Sequence, residues 1–306
     1  MANATDALGA RLDRDALFSL LGYAPHAGQR LVHESSARVR VLACGARWGK
    51  SSCAVMELLA FALAPGPAAR AWIAAPRFEV VDMLLELLLA QLAGGLAHRL
   101  VEVERRTRRL VVQNLAGNSV VIEGRCTERT ASLLGTSLDF LLVDEAGRVA
   151  DEAWDGALSQ RLVERDGRAL VVGTPRGEGS WFHRLFELGR NGAPDVASWT
   201  GPTSDNPAID SALVERERAR LSAAEFASEY LGLFVGPLGP ACTTCGGPNR
   251  GCETTVILLP GETLRHCPAC ERPLDSDGRP VGVARSGGVY VAVITTDDVE
   301  PPTEAA

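Results

Sequence analysis

The sequence predicts an α/β fold, a mostly parallel sheet with helices on both faces, followed by a small cysteine-bearing module. Three observations predict it. Near-continuous apolar runs at 39–43, 71–75, 140–143 and 169–172 have the character of strands buried on both faces. Helical patterns at 51–63, 78–96 and 151–164 fall between them, as in βαβ units. Five of the eight cysteines crowd between 242 and 270, behind a Gly236-Pro-Leu-Gly-Pro breaker. The expected division is therefore 1–235, 236–294 and a final stretch 295–306.

Each segment can be justified in turn. Residues 1–37 read as a helical lead-in with a loop at 23–29. The segment 99–123 breaks the alternation: the runs LVEV, RLVVQN and SVVIEG, separated by turn-forming residues, predict antiparallel strands added at the sheet edge. Its arginines, Arg105, Arg106, Arg108 and Arg109, read equally as a DNA contact or as the solvated turn of an edge hairpin. A helix is expected at 181–189, a loop at 204–207, and two short helices ending near Phe234. The tail after Thr295 is acidic and proline-rich and reads as disordered.

Composition limits the function classes. The 306 residues are 46% hydrophobic and 23% charged, which excludes a mainly disordered or collagen-like chain. The longest apolar-leaning run, 80–96, is interrupted by Asp82, Glu86 and Gln91, so it falls short of the roughly 18 to 20 residues of a membrane span. The N-terminus lacks the basic start and apolar core of a secretory signal, and the cytoplasm is the expected compartment. A net charge of −7 offers nucleic acid no bulk attraction, so a DNA contact would have to be a local basic surface.

The chemistry concentrates after the first apolar run. The strand RVRVLA leads into Cys44-Gly45-Ala46-Arg47-Trp48-Gly49-Lys50-Ser51 and then a helix. Against G-x-x-x-x-G-K-[ST], only the first glycine is missing, with Cys44 in its place and Gly45 beside it. Such a loop turns backbone N–H groups and a helix N-terminus towards phosphates, so Gly45, Gly49, Lys50, Ser51 and Ser52 are expected to hold ATP. Lys50 is the single lysine in a chain that otherwise uses arginine for its 31 basic residues, as if a compact ammonium were required there. A second strand, Phe140-Leu-Leu-Val, ends in Asp144-Glu145. With Ser51, Asp144 would hold Mg²⁺, and Glu145 would polarise the attacking water. These parts predict a P-loop NTPase of the ASCE type.

From about Tyr23 to Phe234 the chain resembles the ATPase domain of the large terminase subunit, the DNA-packaging motor of tailed phages. The resemblance rests on segments in series: YAPHAGQR, RWGKS, AWIAAP, LLVDEAG, LVVGTPRG with WFHRLFELG, and TSDNPAID with EFASEYLGLFV. It implies that Gln29 reads adenine and that Thr174 couples hydrolysis to movement. It also implies that Arg47, inside the loop, stabilises the transition state. Ala46 stands where a first arginine is commoner, which leaves room for an arginine supplied by a neighbouring subunit. Double-stranded DNA, a portal protein, a small terminase subunit and a homo-oligomeric ring, typically of five, are the implied partners. Relatives continue into a nuclease domain. The acids after Val235 do not sit at the ends of core-like strands, so the nuclease is expected to be absent and any cutting to fall to a separate nuclease.

In its place stand Cys242-Thr-Thr-Cys245 and Cys267-Pro-Ala-Cys270, a spacing that predicts a structural Cys₄ Zn²⁺ ribbon with a hairpin such as TTVILL and ETLRHC between the knuckles. Cys252 and His266 are spare candidates. Cys44, Cys53 and Cys126, isolated in apolar stretches, are expected to be buried. The leading expectation is an ATP-hydrolysing motor that translocates double-stranded DNA. A helicase-like or repair ATPase, and a non-catalytic adaptor that binds through the ribbon, are the alternatives.

Overall fold

The computed structural model describes residues 13–235 together with three short strands at 254–258, 283–286 and 289–294. Helix α1 (Arg14–Leu20) is capped by Asp13, whose side chain accepts from Ala16 N at 3.1 Å. It leads to α2 (Ala27–Glu34), β1 (Val39–Cys44), α3 (Lys50–Leu63), β2 (Ala69–Ala75) and α4 (Phe78–Ala93). Then come β3 (Leu100–Glu104), β4 (Arg109–Gln113), β5 (Ser119–Cys126), β6 (Phe140–Val143) and β7 (Arg168–Gly173). The rest of the domain is α5 (Trp181–Arg190), β8 (Val196–Gly201), α6 (Ser211–Arg220) and α7 (Ala223–Glu229).

The strands form one sheet in the order β3-β4-β5-β2-β6-β7-β1-β8. From β5 to β8 every pairing is parallel, while β3 and β4 are antiparallel additions at the edge. Both faces are buried because side chains alternate across a strand. In β1, Leu42 and Cys44 join the core under α3 and α4, whereas Val39, Val41 and Ala43 join the core under α5 and the 151–162 segment. The four apolar runs and the edge hairpins are thus where the sequence places them, and Cys44, Cys53 and Cys126 are buried free thiols.

Four expectations need correction. Strand β8 was not foreseen: VASWTG is mixed in polarity and mostly half-buried, so it has no continuous apolar run. The helix expected at 151–164 is one α-turn (Asp151–Ala153), a π-turn (Trp154–Leu158) and a 3₁₀ turn (Ser159–Leu162). Gly156 is a weak helix former there, and Trp154 stacks on Trp181 at 4.5 Å, so packing sets the path of the backbone. Helix α4 stops at Ala93, short of 96, because Gly94 and Gly95 follow. The loop expected at 23–29 is shorter, and Gln29 lies in the first turn of α2.

Strands β9 (Thr254–Leu258), β10 (Val283–Ser286) and β11 (Val289–Ile294) make a separate antiparallel sheet ordered β10-β11-β9. TTVIL is a strand as expected and pairs with β11, while ETLRHC lies outside the described residues. Cys242, Cys245, Cys267 and Cys270, and the tail after Thr295, lie outside the described residues. Among the described residues no helix is long and apolar enough to cross a membrane.

One buried ionic network locks the N-terminal helices to the sheet. Glu57 on α3 and Arg40 on β1, 1% and 2% exposed, approach to 2.5 Å. His33 Nδ1 lies 2.7 Å from the other Glu57 oxygen, Arg14 reaches the carboxylate at 3.4 Å, and Arg40 also donates to Val32 O. Burial alone would raise the Glu57 pKa. The His33 hydrogen bond and the Arg40 and Arg14 charges outweigh it and hold the carboxyl below its ordinary 4.5. A carboxyl depressed in the folded state contributes stability above its unfolded value, lost as pH falls through the folded one. Denaturant midpoints should therefore drop below about pH 4.5 in the wild type. Glu57→Gln, which strands the Arg40 charge, should cost about 3 kcal/mol at neutral pH and flatten that acid limb.

Candidate nucleotide site

The loop between β1 and α3 can offer N–H groups to an anion only if its carbonyls find partners elsewhere. Every carbonyl from Cys44 to Gly49 has one. Lys50 Nζ donates to Cys44 O at 2.8 Å and Gly45 O at 2.7 Å. Thr203 Oγ1 donates to Ala46 O, and Asn206 Nδ2 to Arg47 O, both at 2.6 Å. His26 Nε2 meets Trp48 O at 2.9 Å, and Gln29 Nε2 donates to Gly49 O at 3.0 Å. From behind, Gly45 N donates to Gly201 O and Ala46 N to Glu229 O. The buried Trp48 indole donates to Asp205 at 3.1 Å.

Two positions in this turn require glycine. A Cβ at Gly45 would collide with Tyr230 O, and Gly49 sits at φ +100°, with Gln29 Nε2 at 2.6 Å from where a Cβ would be. Arg47, at φ +61°, is in the same left-handed region without glycine's freedom, held there by the Asn206 bond to its carbonyl. Its guanidinium is exposed and has no ion-pair partner among the described residues. Helix geometry leaves the N–H groups of Lys50, Ser51 and Ser52 without intrahelical acceptors. Ser52, whose side chain is exposed, therefore faces the site through its backbone.

The candidate site groups converge from β1, β6 and β7, which lie side by side. Lys50 Nζ is 3.3 Å from Thr174 Oγ1 at the end of β7. Burial pushes the Lys50 pKa down, and the neighbouring Cys44, Asp144, Glu145 and Glu229 oppose it. Cys44 itself is pushed up to about 12 by burial, so it is a neutral thiol at neutral pH, and the acids supply the real compensation. Ser51 Oγ donates to Asp144 Oδ2 at 2.8 Å, and Asp144 Oδ1 accepts from Glu145 N at 2.7 Å. Asp144 is 3% exposed, and burial and the Glu145 charge raise its pKa against those two hydrogen bonds. A hydroxyl paired with a desolvated carboxylate fits a hard, oxygen-seeking cation whose other ligands are phosphate oxygens and water. Among the described residues no cluster of three or more His, Cys, Asp or Glu makes an all-protein metal cage.

Glu145, at φ +54°, points its carboxylate at Arg148 Nε, 3.1 Å away. A Cβ at Gly173 would lie 2.9 Å from Ala146 N, so the ends of β6 and β7 touch at backbone level. Gln29 is buried, with its Oε1 accepting from His26 N at 3.0 Å. The edge arginines behave differently. Arg108 forks onto Asp82 at 2.7 and 3.0 Å over the Phe78 ring, Arg105 pairs with Glu86, and Arg109 with Glu102. These three are committed to local acids, which favours the hairpin-turn reading. Sequence reasoning missed His26, Thr203, Asp205 and Asn206 as parts of the site. The run of short hydrogen-bonding side chains in Thr203-Ser-Asp-Asn was the available signal.

A phosphate-type loop and its Ser–Asp pair, on a parallel sheet with added antiparallel edge strands, define an ATPase domain of the P-loop class. The chain is 32% identical over 211 residues to the large terminase subunits of Thermus virus P23-45 and Thermus phage G20c, covering 64% of this chain. It spans 43% of the length of those relatives. Among solved structures, the large terminase ATPase domain of Thermus phage P74-26 superposes with a TM-score of 0.65 at 29% identity, over 72% of this chain and 98% of that one. The large terminase of bacteriophage D6E in complex with ADP shares the fold, with a TM-score of 0.59 at 15% identity over 69% of this chain and 54% of that one. No protein-family model matches the chain. The likeness to the large terminase ATPase domain is thus found in sequence and in fold.

The loop's anchoring can be tested away from its reactive groups. Thr203→Val, which removes the donor to Ala46 O, should weaken ADP binding several-fold at unchanged secondary structure. Gly45→Ala should lose binding and destabilise the fold by about 1–3 kcal/mol, read by calorimetry and urea titration.

Proposed function

We propose that this chain is the ATP-hydrolysing motor of a phage-type packaging machine, driving double-stranded DNA through a portal into a capsid. The observation that carries the reading is the convergence of Lys50, the Ser51–Asp144 pair and Thr174 at the mouth of a loop with every carbonyl satisfied. The N–H groups of the first turn of α3 and the Lys50 ammonium would hold the phosphate chain, whose oxygens compete with the Cys44 and Gly45 carbonyls for Nζ. Mg²⁺ held by Ser51 and Asp144 would neutralise charge on the β- and γ-phosphates. Glu145, once drawn off Arg148, orients the attacking water and accepts its proton. Arg47, exposed at the loop, is placed to meet transition-state charge, with a neighbouring subunit as a second source. Thr174 shares the Lys50 ammonium and so registers the γ-phosphate. Gln29 retains one amide hydrogen and one Oε1 lone pair for the adenine edge.

The wider proposal, which rests on the resemblance to large terminase subunits, adds a small terminase subunit, a ring of about five copies and action in a host cytoplasm. The same proposal covers residues 236–306. Cys242, Cys245, Cys267 and Cys270 bind one structural zinc, and a separate nuclease cuts the DNA.

An ATPase assay with and without double-stranded DNA tests the core of this reading. The wild type should hydrolyse ATP and be stimulated by DNA. Lys50→Ala and Lys50→Arg should both be inactive, and substantial turnover in either would sink the assignment. Glu145→Gln should retain nucleotide and lose about 10²- to 10⁴-fold in kcat. Thr174→Val should keep binding and lose the DNA stimulation. Elemental analysis should find about one zinc per chain, and the purified protein should leave plasmid intact in Mg²⁺ or Mn²⁺. Zinc-free protein would remove the ribbon, and cleavage that persists in Lys50→Ala would reveal a nuclease site in this chain.

A further inference from the structure

We infer that His26 is a positioning residue for the phosphate loop. It fastens the loop at Trp48 and Gly49 to the N-terminus of α2, so that the base side and the phosphate side of the nucleotide site move as one body. The inference rests on the nucleotide-site reading above and deepens it.

Four contacts make the joint. A carbonyl can only accept, so the 2.9 Å contact between His26 Nε2 and Trp48 O places the proton on Nε2 and makes the imidazole the donor. The imidazole also stands edge-on to the Trp48 indole, with ring centroids 4.5 Å apart and planes at 87°. The backbone N–H of His26 donates to Gln29 Oε1 at 3.0 Å, and Gln29 Nε2 carries the chain of bonds on to Gly49 O. Gly28 completes the fit, since a Cβ there would lie 2.6 Å from Trp48 Cζ2. His26 and Gln29 thus grip two successive loop carbonyls immediately before Lys50, and Thr203 and Asn206 hold the two before those.

The location sets the kinetic consequence. The Trp48–Gly49 joint includes the left-handed Gly49 turn that launches α3, and a loop free to leave that turn must be reordered each time a nucleotide binds. Lys50, Ser51 and Asp144 are held independently by their contacts to β1, β6 and β7. Loosening the His26 side should therefore tax binding much more than the chemical step.

The test uses the full chain, with ADP as the probe for calorimetric titration and ATP for steady-state kinetics. His26→Ala should weaken ADP about five- to tenfold and raise KM for ATP in parallel, the loss expected for one hydrogen bond with its packing. Its kcat should stay within about threefold of wild type. His26→Gln, whose amide can still donate to Trp48 O, should recover most of the affinity. Gly28→Ala, which pushes the indole instead of releasing it, should shift ADP affinity and KM in the same direction. Wild-type affinity in folded His26→Ala would overturn the inference, as would a fall in kcat at unchanged KM, or failure of His26→Gln to recover when both variants melt with the wild type. If the wild type itself binds no ADP, the nucleotide-site reading fails first and takes this one with it.

Discussion

A loop that keeps even a few backbone N–H groups free for an anion must satisfy its carbonyls from within the fold, and the rest of this domain is arranged around that requirement. Six consecutive carbonyls, Cys44 to Gly49, are met by donors from α2, from α3 itself and from the segment after β8. The short polar residues of 203–206 sit where they do because β8 runs parallel to β1 and delivers them behind the loop. The loop's shape is thus a property of the tertiary structure. An isolated strand–loop–helix with the same sequence would lack four of the side-chain donors.

This dependence explains which parts of the molecule were legible in the sequence. Local signals carried well. Apolar runs located β1, β2, β6 and β7, the breaks around Arg105–Arg109 located the edge hairpins, and Gly49-Lys50-Ser51 with Asp144-Glu145 are segments that the fold brings together. What failed was non-local. β8 is half-buried and mixed in polarity because it forms the far edge of the sheet, and without β8 the loop's supports cannot be placed. The loop expected at 23–29 would have carried Gln29. In the structure it is buried on the first turn of a helix, with one end of its amide on Gly49 and the other on its own N-cap. The 151–162 segment shows packing overriding helical periodicity, since the Trp154–Trp181 stack decides its path.

Charge follows the same logic of local commitment. The chain is acidic overall, yet the arginine-rich hairpin does not stand as a bare positive surface, because Asp82, Glu86 and Glu102 engage Arg108, Arg105 and Arg109. Exposed pairs of this kind contribute little to stability, about 0–1 kcal/mol each, but they do neutralise the field a polyanion would sense. Arg106 on the hairpin and Arg47 at the loop are exposed and have no ion-pair partner among the described residues. Electrostatic character in this domain is set by where acids have been placed against the arginines more than by how many arginines there are.

The Glu57 network has a mechanical corollary. Helix α3 begins at Lys50, is buried along most of its length, and is riveted to β1 through Arg40 and to α2 through His33. An element clamped in this way offers no travel, because sliding it by one turn would strand a desolvated charge. The phosphate loop itself hangs on single hydrogen bonds, from Thr203, Asn206, His26 and Gln29 and to the Glu229 carbonyl, each far lighter than that clamp. A displacement at the loop would be taken up in those bonds while α3 stays with the sheet.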